Sequence, residues 1–420
     1  MEIQTLTNEF LQETYHRINH PSRLTVYVLP KEGYQTTYAV FGTDYGSVDT
    51  RFSTNGGKEI EVPEGIAHFL EHKLFESEEL DAFERYAKTG ASANAYTSFD
   101  KTCYLFSCSD NFEESLRILL DFVKHPYFTE QTVEKEQGII GQEIKMYQDN
   151  PDWEVLFSLL RAAYKENPVR IDIAGTVESI AQIDAQLLYD CYNTFYNNSN
   201  MVLAVAGNVT VEQVIKIADE LLEKEERVEI IKSLPQEDDG IVTSYTEKEM
   251  HVEVPKFNLG FKEKLFDPKD LRYSIAVSIA LDLICSKTTD FYAELLEKEL
   301  INSSFSTEHF WGRGFNMIIF GGESEKPEEV KSAILERIAF LKENGVENEA
   351  FEAIRRKKYG NEVKCFNDVD ALANGMINMH FSGSCLFDVF GAYRSITKKD
   401  VEDVIRSSFD ESKCILSVIK

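Results

Sequence analysis

The order of apolar and polar residues divides the chain into short strands and amphipathic helices. Alternating positions, and short apolar runs between turn residues, indicate strands. This pattern predicts strands at residues 24–30, 36–46, 91–97, 102–108 and 200–208, the second being the partner of the first. Apolar residues at helical spacing predict helices at 110–124, opened by a capping box of Asp110 and Glu113, and at 129–150. The mixture of strands and helices predicts an α+β fold.

The predicted strand at residues 91–97 consists mainly of small side chains and is followed by a polar turn. The strand at 102–108 then returns as the second half of a hairpin. Small side chains let another backbone approach closely, which suits an edge strand to which an extended peptide is added. A plain, tightly packed strand explains the same residues equally well.

The helix predicted at residues 65–74 carries the clearest chemical signal. His68, Glu71 and His72 occupy positions i, i+3 and i+4 of an apolar run, so their side chains share one helix face. Two imidazoles that bind one cation, with a carboxylate beside them, are the minimum for zinc-dependent hydrolysis. The order His-x-x-Glu-His is the signature of the inverzincins. The alternative is two histidines on an ordinary amphipathic helix.

A zinc site needs a third protein ligand, and the predicted helix at 129–150 offers two candidates. Glu136 and Glu143 lie seven residues apart, nearly two helical turns, on the apolar stripe of this helix. A buried carboxylate is costly unless it is paired or binds a metal. One of the two is therefore a candidate third ligand. The alternative, in so acidic a chain, is that both are solvated.

The second half of the chain repeats the order of elements in the first half. A helix, a small-polar strand, a turn and an aromatic-rich strand follow one another at 83–108 and again at 293–320, the second time without His-x-x-Glu-His. The segment between the halves is charged and has the composition of a linker. These features predict two similar domains. The first is a zinc-binding catalytic domain at 1–223 and the second a metal-free domain at 245–420, and a charged linker at 224–244 joins them.

The composition is that of a globular protein and narrows the classes of function. Of the 420 residues, 43% are hydrophobic and 28% charged, and the net charge is −28. So acidic a chain disfavours nucleic-acid binding, because phosphate contacts need clustered Lys and Arg. The first residues lack the pattern of a signal peptide, and the longest apolar stretch is too short to span a bilayer. With seven scattered cysteines, these features predict a cytoplasmic protein with reduced thiols that binds no membrane.

Four motifs together resemble the insulinase/pitrilysin/mitochondrial processing peptidase family, and within it the bacterial insulinase-like zinc proteases. The motifs are His68-x-x-Glu71-His72, the segment 90–97, the pair Glu136 and Glu143, and the segment 200–208. The resemblance implies two α+β domains that face each other as a clamshell around one zinc ion. It covers the first half of the chain by specific motifs and the second half by architecture.

The resemblance also implies a role for each site residue. The implied zinc ligands are His68, His72 and Glu143. The implied catalytic carboxylates are Glu71, as the general base, and Glu136, which would orient the site. The implied substrate-binding residues are Ala93, Asn94 and Ala95, on the edge strand.

Family members with two domains per chain usually pair, so the resemblance implies a homodimer or a heterodimer with a related inactive chain. Active members often carry, in the second domain or in its partner, an Arg and a Tyr that stabilise the tetrahedral intermediate. At the corresponding segment this chain has Glu297 and Ser304-Phe305. The group that stabilises the oxyanion is therefore expected elsewhere or on another chain.

The sequence thus predicts a zinc-dependent endopeptidase that cleaves short or unfolded peptides. One alternative is a subunit of a heterodimeric protease, or a non-catalytic clamshell protein that binds a peptide or a partner. A second alternative is a zinc hydrolase that acts on another class of substrate, such as an amidase.

Overall fold

The computed structural model describes residues 1–78 and 80–420, and the chain forms two compact units. Unit 1 contains residues Met1–Ile144, Ile173–Leu234 and Val363–Phe387. Unit 2 contains residues Lys145–Asp172, Pro235–Glu362 and Asp388–Lys420. Each unit thus includes a segment from the other half of the sequence, whereas the sequence pattern predicts continuous domains. The assignment of a catalytic and a metal-free domain stays a prediction.

Short strands and helices alternate along the chain, and the predicted α+β class is confirmed. The strands are β1 (Glu2–Asn8), β2 (Glu13–Asn19), β3 (Thr25–Pro30), β4 (Thr37–Thr43), β5 (Arg51–Thr54), β6 (Ile60–Glu61), β7 (Ser92–Thr97), β8 (Thr102–Cys108), β9 (Met201–Gly207), β10 (Ile230–Lys232), β11 (Tyr245–Lys248), β12 (Lys256–Lys262), β13 (Ser306–Gly312), β14 (Phe315–Glu323) and β15 (Cys414–Ile419).

The helices have the following bounds. They are α1 (Ile66–Leu74), α2 (Ala82–Thr89), α3 (Phe112–Lys124), α4 (Glu130–Gln148), α5 (Pro151–Ala163), α6 (Val177–Ile180), α7 (Ala185–Phe195), α8 (Val211–Leu221), α9 (Leu271–Ile284), α10 (Asp290–Glu297), α11 (Pro327–Asn344), α12 (Asn348–Cys365), α13 (Val369–Ser382), α14 (Asp388–Ser395) and α15 (Lys398–Ser407). Among the described residues, no helix is both long and apolar enough to cross a bilayer.

Unit 1 is built on a seven-stranded sheet in the order β1-β2-β3-β9-β4-β8-β7. Strands β3 and β9 are parallel, and the other neighbouring strands are antiparallel. A smaller sheet of β10, β5 and β6 belongs to the same unit. The predicted small-residue hairpin is β7–β8, and β7 forms the edge of the larger sheet, as the sequence pattern suggests.

Helices cover the sheet of unit 1 and bury its central strands. Every residue of β4 and β9 is buried. Helix α13 packs against β4 and β9, and α1 packs against β7 and β8. Strands that are covered on both faces consist of consecutive apolar residues, which explains why β9 has no alternating polar positions. The packing of α1 on the edge hairpin brings the predicted metal-binding helix next to the predicted substrate strand.

Unit 2 is built on a five-stranded sheet in the order β11-β15-β12-β14-β13. Strands β11 and β15 are parallel, and the following pairs are antiparallel. The same sequence of one parallel and three antiparallel pairs runs through β3-β9-β4-β8-β7 of unit 1. The predicted internal duplication is therefore visible in the strand topology.

The charged segment predicted as a linker is held by specific hydrogen bonds at two places. Strand β10 pairs with β5 in unit 1. In unit 2, the Glu237 carboxylate accepts hydrogen bonds from the backbone N–H groups of residues 165–167 at 2.8–3.0 Å. Partial burial acts to raise the pKa of Glu237, but these hydrogen bonds outweigh it and lower the pKa. Polar contacts thus order a segment that has little apolar surface to bury.

Two local predictions are wrong, and in both cases the cause lies outside the local pattern. Strands β3 and β4 are not partners, because β9 lies between them. Helix α3 begins after Asn111, which has a φ of 54°. Within the described residues, no side chain at this position accepts a hydrogen bond from the first N–H groups of the helix. The predicted capping box of Asp110 and Glu113 therefore does not form.

Candidate metal centre

Helix α1 presents the predicted histidines because its opposite face is buried in unit 1. Ile66, Phe69 and Leu70 belong to the core of that unit. The helix starts directly after Gly65, which has a φ of 88°. A Cβ atom at Gly65 would lie 2.4 Å from the carbonyl oxygen of Ala174, so a larger residue does not fit. Gly65 therefore determines where α1 begins.

The side chains of His68 and His72 come together with that of Glu143 from α4. Nε2 of His68 lies 3.7 Å from Oε1 of Glu143, and Nε2 of His72 lies 3.4 Å from Oε2. The two imidazole centroids are 4.6 Å apart. One potential ligand atom from each residue lies within 4.8 Å of the other two. The structure thus brings the three predicted zinc ligands into one cluster.

The separations between these atoms are compatible with a zinc ion between them. Zinc bonds of about 2.0–2.2 Å to nitrogen and oxygen place neighbouring ligand atoms of a tetrahedron about 3.3–3.6 Å apart. The two N···O separations, 3.4 and 3.7 Å, are close to this spacing. They are longer than a normal hydrogen bond of about 2.9 Å. Two imidazoles and one carboxylate are also the ligand set of zinc hydrolases that keep a fourth position open.

Glu136, the other candidate carboxylate of α4, contacts the outer nitrogen of His72. Its Oε1 lies 3.0 Å from Nδ1 of His72, and its side chain is buried. The carboxylate accepts the Nδ1 hydrogen, which leaves the lone pair of Nε2 directed towards Glu143. Burial acts to lower the pKa of His72, but the Glu136 hydrogen bond and the charge of Glu143 outweigh it and raise the pKa.

The environment of His68 differs from that of His72. Burial, with a smaller contribution from the charge of His72, lowers the pKa of His68 to about 3. The His68 imidazole is therefore neutral near pH 7, which is the form that binds a metal. Its Nδ1 is buried and has no hydrogen-bond partner among the described residues. An unsatisfied buried nitrogen costs stability, so no hydrogen bond of the fold explains why a histidine stands here.

Glu71 lies on the same helix face, and its carboxylate is held from outside the helix. Oε2 of Glu71 accepts a hydrogen bond of 2.6 Å from Oγ1 of Thr97. Burial raises the pKa of Glu71, while this hydrogen bond and the charge of His72 oppose the rise. A carboxyl group with a raised pKa is a more effective proton acceptor near neutral pH.

The sequence patterns did not single out Thr97 as a site residue. The signal that points to it is the two-residue period of β7, which places Thr97 on the same face as Ala93 and Ala95. Those two alanines pack against the core of unit 1. A hydroxyl on that face, at the end of a strand that contacts α1, is placed to meet a polar residue of α1.

The predicted substrate-binding residues lie on β7, at the edge of the sheet. Asn94 is exposed, and its Oδ1 accepts a hydrogen bond of 2.9 Å from the backbone N–H of Ala95. Ala93 and Ala95 keep small side chains against the core. Within the described residues, β7 pairs with β8 alone. Its outer edge is therefore without a strand partner in that part of the chain, as β-strand addition requires.

The segment where an oxyanion-stabilising residue is expected belongs to unit 2. Glu297 is the last residue of α10. Oγ of Ser304 donates a 2.6 Å hydrogen bond to Oδ1 of Asn302, and Phe305 is buried in the core of unit 2. Ser304 and Phe305 are thus engaged in the local structure of their own unit.

Comparison with known proteins gives consistent matches along the chain. A family profile described as "Insulinase (Peptidase family M16)" matches residues 55–177, and one described as "Peptidase M16 inactive domain" matches residues 182–358. A Bacillus subtilis protein described as zinc protease YmfH is 43% identical over 414 residues, which are 96% of this chain and 96% of that protein.

More distant relatives match part of the chain, and a solved structure matches the whole chain. The human mitochondrial-processing peptidase subunit beta is 33% identical over 166 residues, 38% of this chain and 34% of that protein. A crystal structure from Alicyclobacillus acidocaldarius, described as an M16-like peptidase, aligns with a TM-score of 0.92 at 34% identity. It covers 100% of this chain and 98% of the other.

Proposed function

Because this chain belongs to the insulinase family of peptidases, family M16, we propose that it is a zinc-dependent endopeptidase that cleaves short or unfolded peptides. The observation that carries the proposal is the cluster of His68, His72 and Glu143, with Glu71 on the same helix. A packed fold gains nothing from placing these half-buried polar groups together. A metal that uses three of them as ligands explains the arrangement.

The residues around the cluster prepare it for a zinc ion. When bound, zinc supplies Lewis acidity, which makes a water molecule more acidic and polarises a carbonyl group. His68, His72 and Glu143 would hold the ion. Glu136 keeps the Nδ1 hydrogen of His72 on the outer side of the ring, so that Nε2 is free for the metal.

Glu71 is the general base in this proposal. Its carboxylate would take the proton from the attacking water and pass it to the nitrogen of the leaving amine. Such a role typically contributes 10²–10⁴-fold to the rate. Glu71 lies three residues after His68, close to one helical turn, which places its side chain beside that of a proposed ligand and supports this assignment.

The outer edge of β7 is the proposed binding site for the peptide main chain. A substrate added there as a strand would bind to the backbone around Ala93, Asn94 and Ala95. The exposed amide of Asn94 is available as a further contact. Main-chain hydrogen bonds do not distinguish side chains, so we expect loose sequence specificity and a requirement for an extended substrate.

Cleavage of a fluorogenic peptide by the purified chain tests this function. We expect hydrolysis that a zinc chelator abolishes and that added zinc restores. Zinc analysis of the same samples should give one ion per chain in the active protein. Full hydrolysis by metal-free protein would contradict the proposal.

A second candidate is a zinc-binding subunit that is active only with a partner. It is favoured by the unit 2 segment 297–305, where Ser304 and Phe305 are engaged locally. The partner would be a second copy of this chain or a related inactive chain. Native mass spectrometry of the active sample distinguishes a homodimer from a complex with a related chain. A chain that binds zinc but hydrolyses peptides only after a partner is added would support this candidate.

A cytoplasmic location is the remaining part of the proposal. Five cysteines are buried free thiols, as expected for a protein of a reducing compartment, namely Cys103, Cys108, Cys191, Cys285 and Cys414. Cell fractionation with an antibody against the chain tests this location, and recovery in the culture medium would contradict it.

A further inference from the structure

We propose that Thr97 is a positioning residue, whose hydroxyl holds the Glu71 carboxylate in the orientation from which Glu71 acts as the base. This inference rests on the proposed peptidase function and adds a residue to it. Its basis is the 2.6 Å hydrogen bond from Oγ1 of Thr97 to Oε2 of Glu71. A hydrogen bond of this length to a charged acceptor is among the stronger and more directional kinds.

Thr97 has only one hydroxyl hydrogen, and the structure assigns it to Glu71. The neighbouring hydroxyl, Oγ1 of Thr102, lies 3.4 Å from Oγ1 of Thr97 but only 2.9 Å from the carbonyl oxygen of Tyr45. Thr102 therefore donates its own hydrogen mainly to Tyr45. Because carbonyl and carboxylate oxygens only accept, the Thr97 hydrogen is left for the carboxylate.

The backbone of Thr97 is itself held rigidly. Thr97 and Thr102 face each other as the closing pair of the β7–β8 hairpin. The turn that follows is closed by a 2.8 Å hydrogen bond from the N–H of Ser98 to the carbonyl of Lys101. Thr102 is fully buried. The hydroxyl therefore approaches Glu71 from a fixed point rather than from a mobile loop.

One strand thus serves both the base and the proposed substrate site. Ala93, Asn94 and Ala95 line the outer edge of β7, and Thr97 of the same strand holds Glu71. A peptide added to this strand would lie at a set distance from the Glu71 carboxylate. The hydroxyl contacts Oε2 of Glu71, and the backbone N–H of Thr97 also stabilises the charged form of the same carboxylate. Positioning of this kind lowers the cost of reaching the reactive geometry.

Two substitutions separate the hydroxyl from the rest of the side chain. Thr97→Val removes the hydroxyl and keeps the branched shape, whereas Thr97→Ser keeps the hydroxyl and removes the methyl group. We expect Thr97→Val to lower kcat by about 10- to 100-fold, the usual effect of losing such a supporting contact. KM and zinc content should stay within about twofold. Thr97→Ser should retain most of the wild-type kcat.

A kcat for Thr97→Val within twofold of wild type would overturn the inference. So would a Thr97→Ser variant as impaired as Thr97→Val, because the methyl group would then be the important part. Crystal structures give a readout that needs no activity. We expect the Glu71 carboxylate to move in Thr97→Val and to stay in place in Thr97→Ser. An unmoved carboxylate in Thr97→Val would also overturn the inference.

The crystal structures of the two variants distinguish a failure of the proposed peptidase function from a failure of the role proposed for Thr97. If the wild-type chain hydrolyses no peptide, the proposed function fails. The position of Glu71 in the two variants still decides whether Thr97 holds it.

Discussion

The two units share one strand topology but carry different side chains on the first of the two helices that precede the edge hairpin. In unit 1 this helix is α1, which places His68, Glu71 and His72 at half-buried positions. In unit 2 the helix in the same place along the chain is α9, whose apolar residues are buried on several sides. Both helices contact the edge hairpin of their own sheet. The scaffold therefore forms with an apolar helix as well as with a polar one.

This comparison separates residues that the fold needs from residues that the fold merely tolerates. In α9, Val277 and Ile279 are fully buried and contribute apolar burial directly. In α1, His68 keeps a buried nitrogen without a partner among the described residues. Such a group lowers the stability of the fold. The polar groups of α1 are thus best explained by chemistry and the apolar groups of α9 by packing.

The largest expected effect is on the proposed base in unit 1. Glu71→Gln should lower peptide hydrolysis by about 10²–10⁴-fold, because the amide cannot accept the proton. The zinc content should not change, since Glu71 is not one of the clustered ligand residues. Peptide turnover and zinc analysis on the same preparation check both parts. Unchanged turnover would refute the assignment of the base.

The two carboxylates of α4 should differ in their effect on zinc binding. Glu143→Gln should release most of the zinc, because Glu143 contacts both imidazoles. Glu136→Gln, the matched control, should weaken zinc binding by only about 10- to 100-fold, because it removes a supporting hydrogen bond. Titration against a chelator of known affinity measures both. Zinc loss in Glu136→Gln alone would mean that the two roles are reversed.

Matched truncations in α1 and α9 test the comparison directly in metal-free protein. Ile279→Ala should lower the free energy of unfolding by about 2–5 kcal/mol, because it leaves a cavity in the core of unit 2. His68→Ala should cost less than about 1 kcal/mol, because it also removes an unsatisfied buried nitrogen. Denaturant unfolding in the presence of a chelator measures both. Equal losses would show that His68 is a packing residue.

A smaller effect is expected in unit 2 from the pH dependence of stability. Burial raises the pKa of Glu263 from 4.5 to about 7, although the N–H of Phe409 donates a 2.8 Å hydrogen bond to it. The folded protein therefore binds this proton more tightly than the unfolded chain does. The resulting stabilisation is fully present below about pH 4.5 and is lost as the pH rises through about 7.

Glu263→Gln isolates that contribution, because glutamine keeps the acceptor for Phe409 and does not titrate. The difference in unfolding free energy between variant and wild type should change between pH 5 and pH 8. The wild type should lose stability relative to the variant on going to pH 8. A pH-independent difference would contradict the raised pKa.

Features with a local pattern were predictable from the sequence. His68, Glu71 and His72 share a helix face by spacing alone, and the apolar run of β9 marks a buried strand. The strand of small residues at 92–97 was predictable together with its partner, because both belong to one hairpin. In each case the residues that decide the structure lie close together in the chain.

Features that depend on distant residues were not predictable in this way. The insertion of β9 between β3 and β4 joins strands that are far apart in the chain. Likewise, α13 joins unit 1 by packing on β4 and β9, which no periodicity within α13 reveals. The contact between Thr97 and Glu71 depends on how α1 packs on β7. The capping box does not form because Asn111 is the residue before α3, with a positive φ and a side-chain amide that donates a 3.0 Å hydrogen bond to the carbonyl of Thr89.

The central claim is that the three clustered side chains of unit 1 bind one zinc ion. Crystals of the zinc-loaded chain, measured at the zinc absorption edge, test it most directly. We expect one anomalous peak per chain, about 2.0–2.2 Å from Nε2 of His68, Nε2 of His72 and a carboxylate oxygen of Glu143. A peak elsewhere, or three side chains that point apart with no ion between them, would contradict it.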